Sequence, residues 1–169
     1  MDPSEYRSLI DAYKKIQIIG ENNFEPLSEN TRISVFSITN EENFDYGVIF
    51  FNFLAQIFKG DCDFGFINEE ATEDNLLSLR EGITGTDAVI FAFFVSSDVL
   101  DDDDLIIKLN NIIQTLSESK PAIGVFFSPN HIPEELNLSV KINLPNIDNA
   151  SIAAGAMFLA GREPMYTPH

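Results

Sequence analysis

Residues 87–95 (Asp-Ala-Val-Ile-Phe-Ala-Phe-Phe-Val) form an unbroken apolar run behind a single aspartate. A strand without a polar face needs cover on both sides, which is the situation of a central strand in a parallel sheet flanked by helices. The rest of the chain must therefore supply parallel neighbours and helices for two faces.

It carries the right pieces. Thr31–Thr39 and Pro121–Phe127 read as further buried strands, Cys62–Ile67 as a short one, and Ser139–Leu144 as a shorter outer one. Asp2-Pro3-Ser4-Glu5 is a helix start with cap, first-turn proline and capping-box acid in place. Tyr6, Leu9, Ile10, Tyr13 and Ile16 then share a helical face, and Gly20 follows as a stop. Further helices are predicted over residues 43–59, 73–81, 101–116 and 148–160, the last stopped by Gly161. Strands alternating with helices from residue 31 onward imply βαβ units. The expectation is a three-layer, Rossmann-like α/β domain with a mostly parallel sheet of four to five strands. Residues 31–39, 87–95 and 121–127 should lie at its centre. A length of 169 residues suits one domain over 1–169, with an N-terminal helix (1–20), a βαβ core (31–160) and a tail (161–169).

Charge narrows the function classes. Ten Lys and Arg against 27 Asp and Glu give a net charge of -17, which argues against nucleic-acid binding, because phosphate contacts need clustered bases. An apolar content of 44% argues against disorder, and no apolar stretch is long enough for membrane insertion. A lone Cys62 fits a reducing compartment, and with no basic segment preceding an apolar run near Met1, a cytoplasmic location is expected.

Ligands of open parallel sheets bind beyond the carboxyl ends of the strands. The first strand-to-helix turn, Ser37-Ile38-Thr39-Asn40-Glu41-Glu42-Asn43, has no glycine-rich phosphate cradle, and its two glutamates would repel a phosphate. No cofactor is expected there. A phospho-receiver pattern would need an aspartate ending the 87–95 strand, and Ala92-Phe93-Phe94-Val95 supplies none. Glu41, Glu42 and Asp98 are the candidate metal ligands, since Mg2+ takes one or two carboxylates plus water or substrate phosphate. They define one reading, a Mg2+-dependent enzyme acting on a phosphorylated small molecule. The plainer account of these acids is that they complement the dipoles of the helices they precede. Cys62, between Asp61 and Asp63, has neighbours that blunt a thiol's reactivity, and His131 stands alone in a Pro-bracketed loop.

The preferred reading is a non-catalytic binding or regulatory subunit acting through protein–protein association. The 43–59 helix is apolar around most of its circumference, and the 148–160 helix combines small with large apolar residues. Phe50, Phe53 and Phe158 are the candidate interface residues, and a homo-oligomer or hetero-complex is expected to bury them. The acidic surface would steer a basic protein partner.

Overall fold

The computed structural model describes residues 2–19, 24–38, 44–60, 62–67, 86–94, 103–117, 120–127, 132 and 134–164. The apolar run beginning at Ala88 becomes β4 (Ala88–Phe93), and every residue from Ala88 to Phe94 is buried. Alternate side chains serve opposite faces. Ile90, Ala92 and Phe94 join one hydrophobic cluster, and Val89, Phe91 and Phe93 join the other.

Around β4 lie β1 (Gln17–Ile19), β2 (Ile33–Ile38), β3 (Cys62–Ile67), β5 (Ala122–Phe127) and β6 (Val140–Leu144). They form a six-stranded sheet in the order β1-β6-β5-β4-β2-β3. All pairings are parallel except β1 with β6. The sheet is mixed and mostly parallel, with β2, β4 and β5 as adjacent central strands. Four helices accompany it among the described residues: α1 (Pro3–Lys14), α2 (Phe44–Ile57), α3 (Asp103–Ser117) and α4 (Asn149–Leu159). Leu9 of α1, Phe50 and Leu54 of α2, and Ile152 and Leu159 of α4 pack into the first cluster. Ile106, Leu109, Ile112, Ile113 and Leu116 of α3 pack into the second.

Local signals act as the sequence requires. Asp2 accepts the Glu5 N–H at 2.8 Å while Glu5 accepts the Asp2 N–H, closing the capping box of α1. At the end of α4, Gly161 takes a left-handed φ of 68°. The Arg162 and Gly161 N–H groups donate back to the Met157 and Phe158 carbonyls, a Schellman closure.

Three expectations are corrected. Among the described residues the sheet has six strands rather than four to five. The N-terminal helix ends at Lys14, not near Gly20, because Gln17-Ile18-Ile19 pairs antiparallel with Lys141–Asn143. A three-residue strand is too short to show a period of two, and Ile16 falls by coincidence on the helical face. Consequently the 139–144 strand lies inside the sheet, with β1 beyond it. The 73–81 helix lies outside the described residues.

Candidate functional site

The parallel strands end on one edge, at Ile38, Ile67, Phe93, Phe127 and Leu144. Glu41, Glu42 and Asp98, which follow two of those ends, lie outside the described residues, as does His131. Among the described residues, no group of three His, Cys, Asp or Glu is placed to hold a metal ion. Near this edge Ser37 is fully buried, and its Oγ, facing Gly47 of α2, has no hydrogen-bond partner. Ser34, three residues earlier and on the opposite face of β2, is satisfied by Thr86 at 2.8 Å.

The three candidate interface residues are used inside the chain to different degrees. Phe50 is fully buried and packs edge-on against Phe127 (5.4 Å between ring centroids) and Phe94 (6.4 Å). It faces the sheet, so it cannot meet a partner, and its assignment to an interface is corrected. Phe158 is half-buried, stacked on Phe24 at 5.6 Å and edge-on to Tyr13 at 6.0 Å. Phe53, also half-buried, lines a groove of about 360 Å³ together with Leu9, Ala150 and Ala153, rimmed by Ser4, Ser8 and Asn149. The apolar circumference of α2 therefore has cover within the chain. Phe50 and Leu54 turn to the sheet, Phe51 to Phe64 of β3, and Phe53 toward α1 and α4.

Exposed apolar surface collects elsewhere. Among the described residues, four large hydrophobic residues stand out: Ile18 (36% exposed), Ile19 (39%), Phe66 (36%) and Ile107 (62%). The first three sit on β1 and β3, the two edge strands. Beside Phe66, the Phe64 and Phe51 rings continue an aromatic row, with centroids 4.5 Å (Phe64 to Phe66, edge-on) and 4.8 Å (Phe51 to Phe64, stacked) apart. Sequence reasoning missed these positions because it weighed helices as the surplus apolar surface. The signal available was Phe64 and Phe66 at a spacing of two in a strand carrying Asp63.

Electrostatics divide the surface unevenly. Arg32 donates to Asp87 through its backbone N–H (3.0 Å), Nε (3.4 Å) and Nη2 (3.3 Å), and these bonds hold the Asp87 carboxyl below its ordinary range. Glu29 takes both Lys59 (3.3 Å) and Arg162 (3.1 Å). Lys141 donates to the Glu134 carbonyl at 3.3 Å, and burial pushes its ammonium pKa down against the opposing pull of Glu134 and Glu135. Asp45 of α2 and Asp63 of β3 are exposed, and neither has an ion-pair partner among the described residues.

No protein-family profile matches the chain, and no characterised protein matches its sequence significantly. Solved structures do share the fold. A β-glucosidase from Listeria innocua, seen in complex with isofagomine, superposes with a TM-score of 0.71 at 14% identity over 95% of this chain. A glycoside hydrolase family 3 β-N-acetylglucosaminidase from Paenibacillus sp. gives 0.67 at 13% identity over 90%, and a β-glucoside phosphorylase, BglX, gives 0.56 at 17% over 92%. The chain spans only 26% to 29% of the length of these proteins. At such identities the likeness is one of fold.

Proposed function

We propose that this chain is a non-catalytic association module on a three-layer, Rossmann-like scaffold, meeting a second copy or another protein through the edges of its sheet. The observation that carries this reading is the placement of Ile18, Ile19 and Phe66. Among the described residues, three of the four exposed large hydrophobics occupy the two edge strands of the sheet. Stand-alone proteins commonly guard such edges with charge, proline or a covering element, since an open apolar edge invites pairing.

The test is the native mass of the full chain at physiological salt, in extract of cells that make it. The expected result is a particle at least twice the mass of one chain, whether homo-oligomer or hetero-complex. A particle of single-chain mass would overturn the reading.

A further inference from the structure

We infer that β1 is a pairing edge for a second copy of this chain, the two β1 strands running antiparallel about a two-fold axis at Ile18 and joining two six-stranded sheets into one. This rests on the association reading and names its partner. The first support is the state of the edge. β1 pairs with β6 on its inner side, its three residues are all exposed, and among the described residues no other backbone hydrogen bond reaches Gln17, Ile18 or Ile19. In an antiparallel ladder alternate residues turn N–H and C=O outward. Open donors and acceptors therefore stand beside two isoleucines that are 36% and 39% exposed. The opposite edge is guarded. β3 carries an exposed Asp63 and a mid-strand Gly65, which discourage a further strand, whereas Gln17-Ile18-Ile19 has no charge, proline or glycine.

The second support is charge, which selects the occupant. Residues 1–19 hold three acids (Asp2, Glu5, Asp11) and three bases (Arg7, Lys14, Lys15), so the whole net charge of -17 resides in residues 20–169. The α1–β1 segment thus carries no net charge on an acidic molecule. Two copies that repel through their acidic surfaces can approach through this one, and the repulsion that remains is screened beyond about 8 Å at physiological salt. A basic partner would be drawn to the acidic remainder and gains nothing at β1. Geometry then fixes the pairing. Two copies of one strand meeting edge to edge about a two-fold axis must run antiparallel, and a three-residue strand keeps every residue paired only when the axis passes Ile18. Ile18 then faces Ile18 of the partner subunit, and Gln17 faces Ile19 of the partner subunit.

The experiment is sedimentation of the purified full chain over a concentration series, for wild type, Ile18→Lys, Ile18→Glu and an equimolar mixture of the two variants. Wild type should form a dimer. Each variant alone sets like charges opposite each other across the axis and should weaken the dimer by about five- to tenfold. The mixture sets Lys against Glu and should recover it, which misfolded chains could not do. Gln17→Glu mixed with Ile19→Lys, opposed in the same register, is a second pair that does not depend on substitution at Ile18. Phe66→Ser should leave the dimer intact. A purified wild-type chain that stays single, a dimer indifferent to Ile18→Lys or dissociated by Phe66→Ser, or a mixture no tighter than its separate variants would each overturn the inference. The association reading fails separately, when the particle in cell extract has single-chain mass. An assembly in extract whose purified chain is a monomer has a different protein as its partner and sinks the second copy alone.

Discussion

Gly47 lies against Ser37 so closely that a methyl group at residue 47 would overlap the Ser37 hydroxyl and come within 2.9 Å of its Cβ. This contact lets α2 ride low on β2, which brings Phe50 between Phe94 and Phe127 and Phe51 onto Phe64. One small residue in the first turns of a helix thus sets both the core packing and the aromatic row at the sheet edge.

Gly47→Ala should therefore destabilise the fold although alanine is the better helix former. Helix propensity would gain about 1 kcal/mol, against about 1–3 kcal/mol for overpacking a filled site. Because Ser37 cannot withdraw within a strand, the clash should win. Ser37→Ala alone should be near neutral, since it deletes a buried hydroxyl that has no partner. In the double variant it should return part of the loss. Urea denaturation of the four chains measures the coupling.

Phe50 and Phe53, three residues apart on α2, should respond very differently to truncation. Phe50→Ala empties a fully buried site and should cost about 3–5 kcal/mol. Phe53→Ala only widens an open groove and should cost less than half as much. Equal losses in denaturant midpoint would contradict the orientation of α2.

The Arg32–Asp87 clamp gives an acid-side dependence with a definite sign. The backbone and side-chain hydrogen bonds from Arg32 lower the Asp87 pKa in the folded state. Its contribution to stability is therefore complete above the ordinary aspartate value of about 4 and is lost as pH falls through the lower folded value. Asp87→Asn should remove that part of the acid limb and leave the stability profile above pH 5 parallel to wild type. Thermal melts between about pH 2 and pH 7 test this.

Addition of Mg2+ or Mn2+ separates association from metal-dependent catalysis. A ligand at 100 times its Kd stabilises a native state by about 2.7 kcal/mol, a shift readily seen in a thermal melt. The association account expects no shift with either ion at millimolar concentration. A shift abolished by Glu41→Gln, Glu42→Gln or Asp98→Asn would restore the enzyme reading.

Much of the fold was legible because its strongest signals are local. An apolar run without polar interruption made Ala88–Phe93 central, and Asp2 with Glu5 fixed the start of α1. What escaped depends on contacts made at long range. Gln17-Ile18-Ile19 is a strand only because Lys141–Asn143 lies alongside it, and nothing within three residues announces that pairing. The surplus apolar surface of α2 was read correctly as surplus for one sheet face, yet α1, α4 and β3 arrive to share it. Periodicity counts apolar faces but cannot say which neighbour covers each. The candidate site was therefore sought on helices, whereas the exposed apolar residues lie mainly on the edge strands.

The most direct test of association through the sheet edges is sedimentation of the wild-type chain beside an Ile18→Lys/Ile19→Lys variant and Phe66→Ser, in extract at physiological salt. These side chains are partly exposed, so the fold should survive, which a melting curve of each variant verifies. The account predicts that wild type sediments as an assembly, and that at least one edge variant sediments as a single chain of 18.9 kDa with its fold intact. Wild type at 18.9 kDa, or an assembly unchanged by charging both edges, would contradict it.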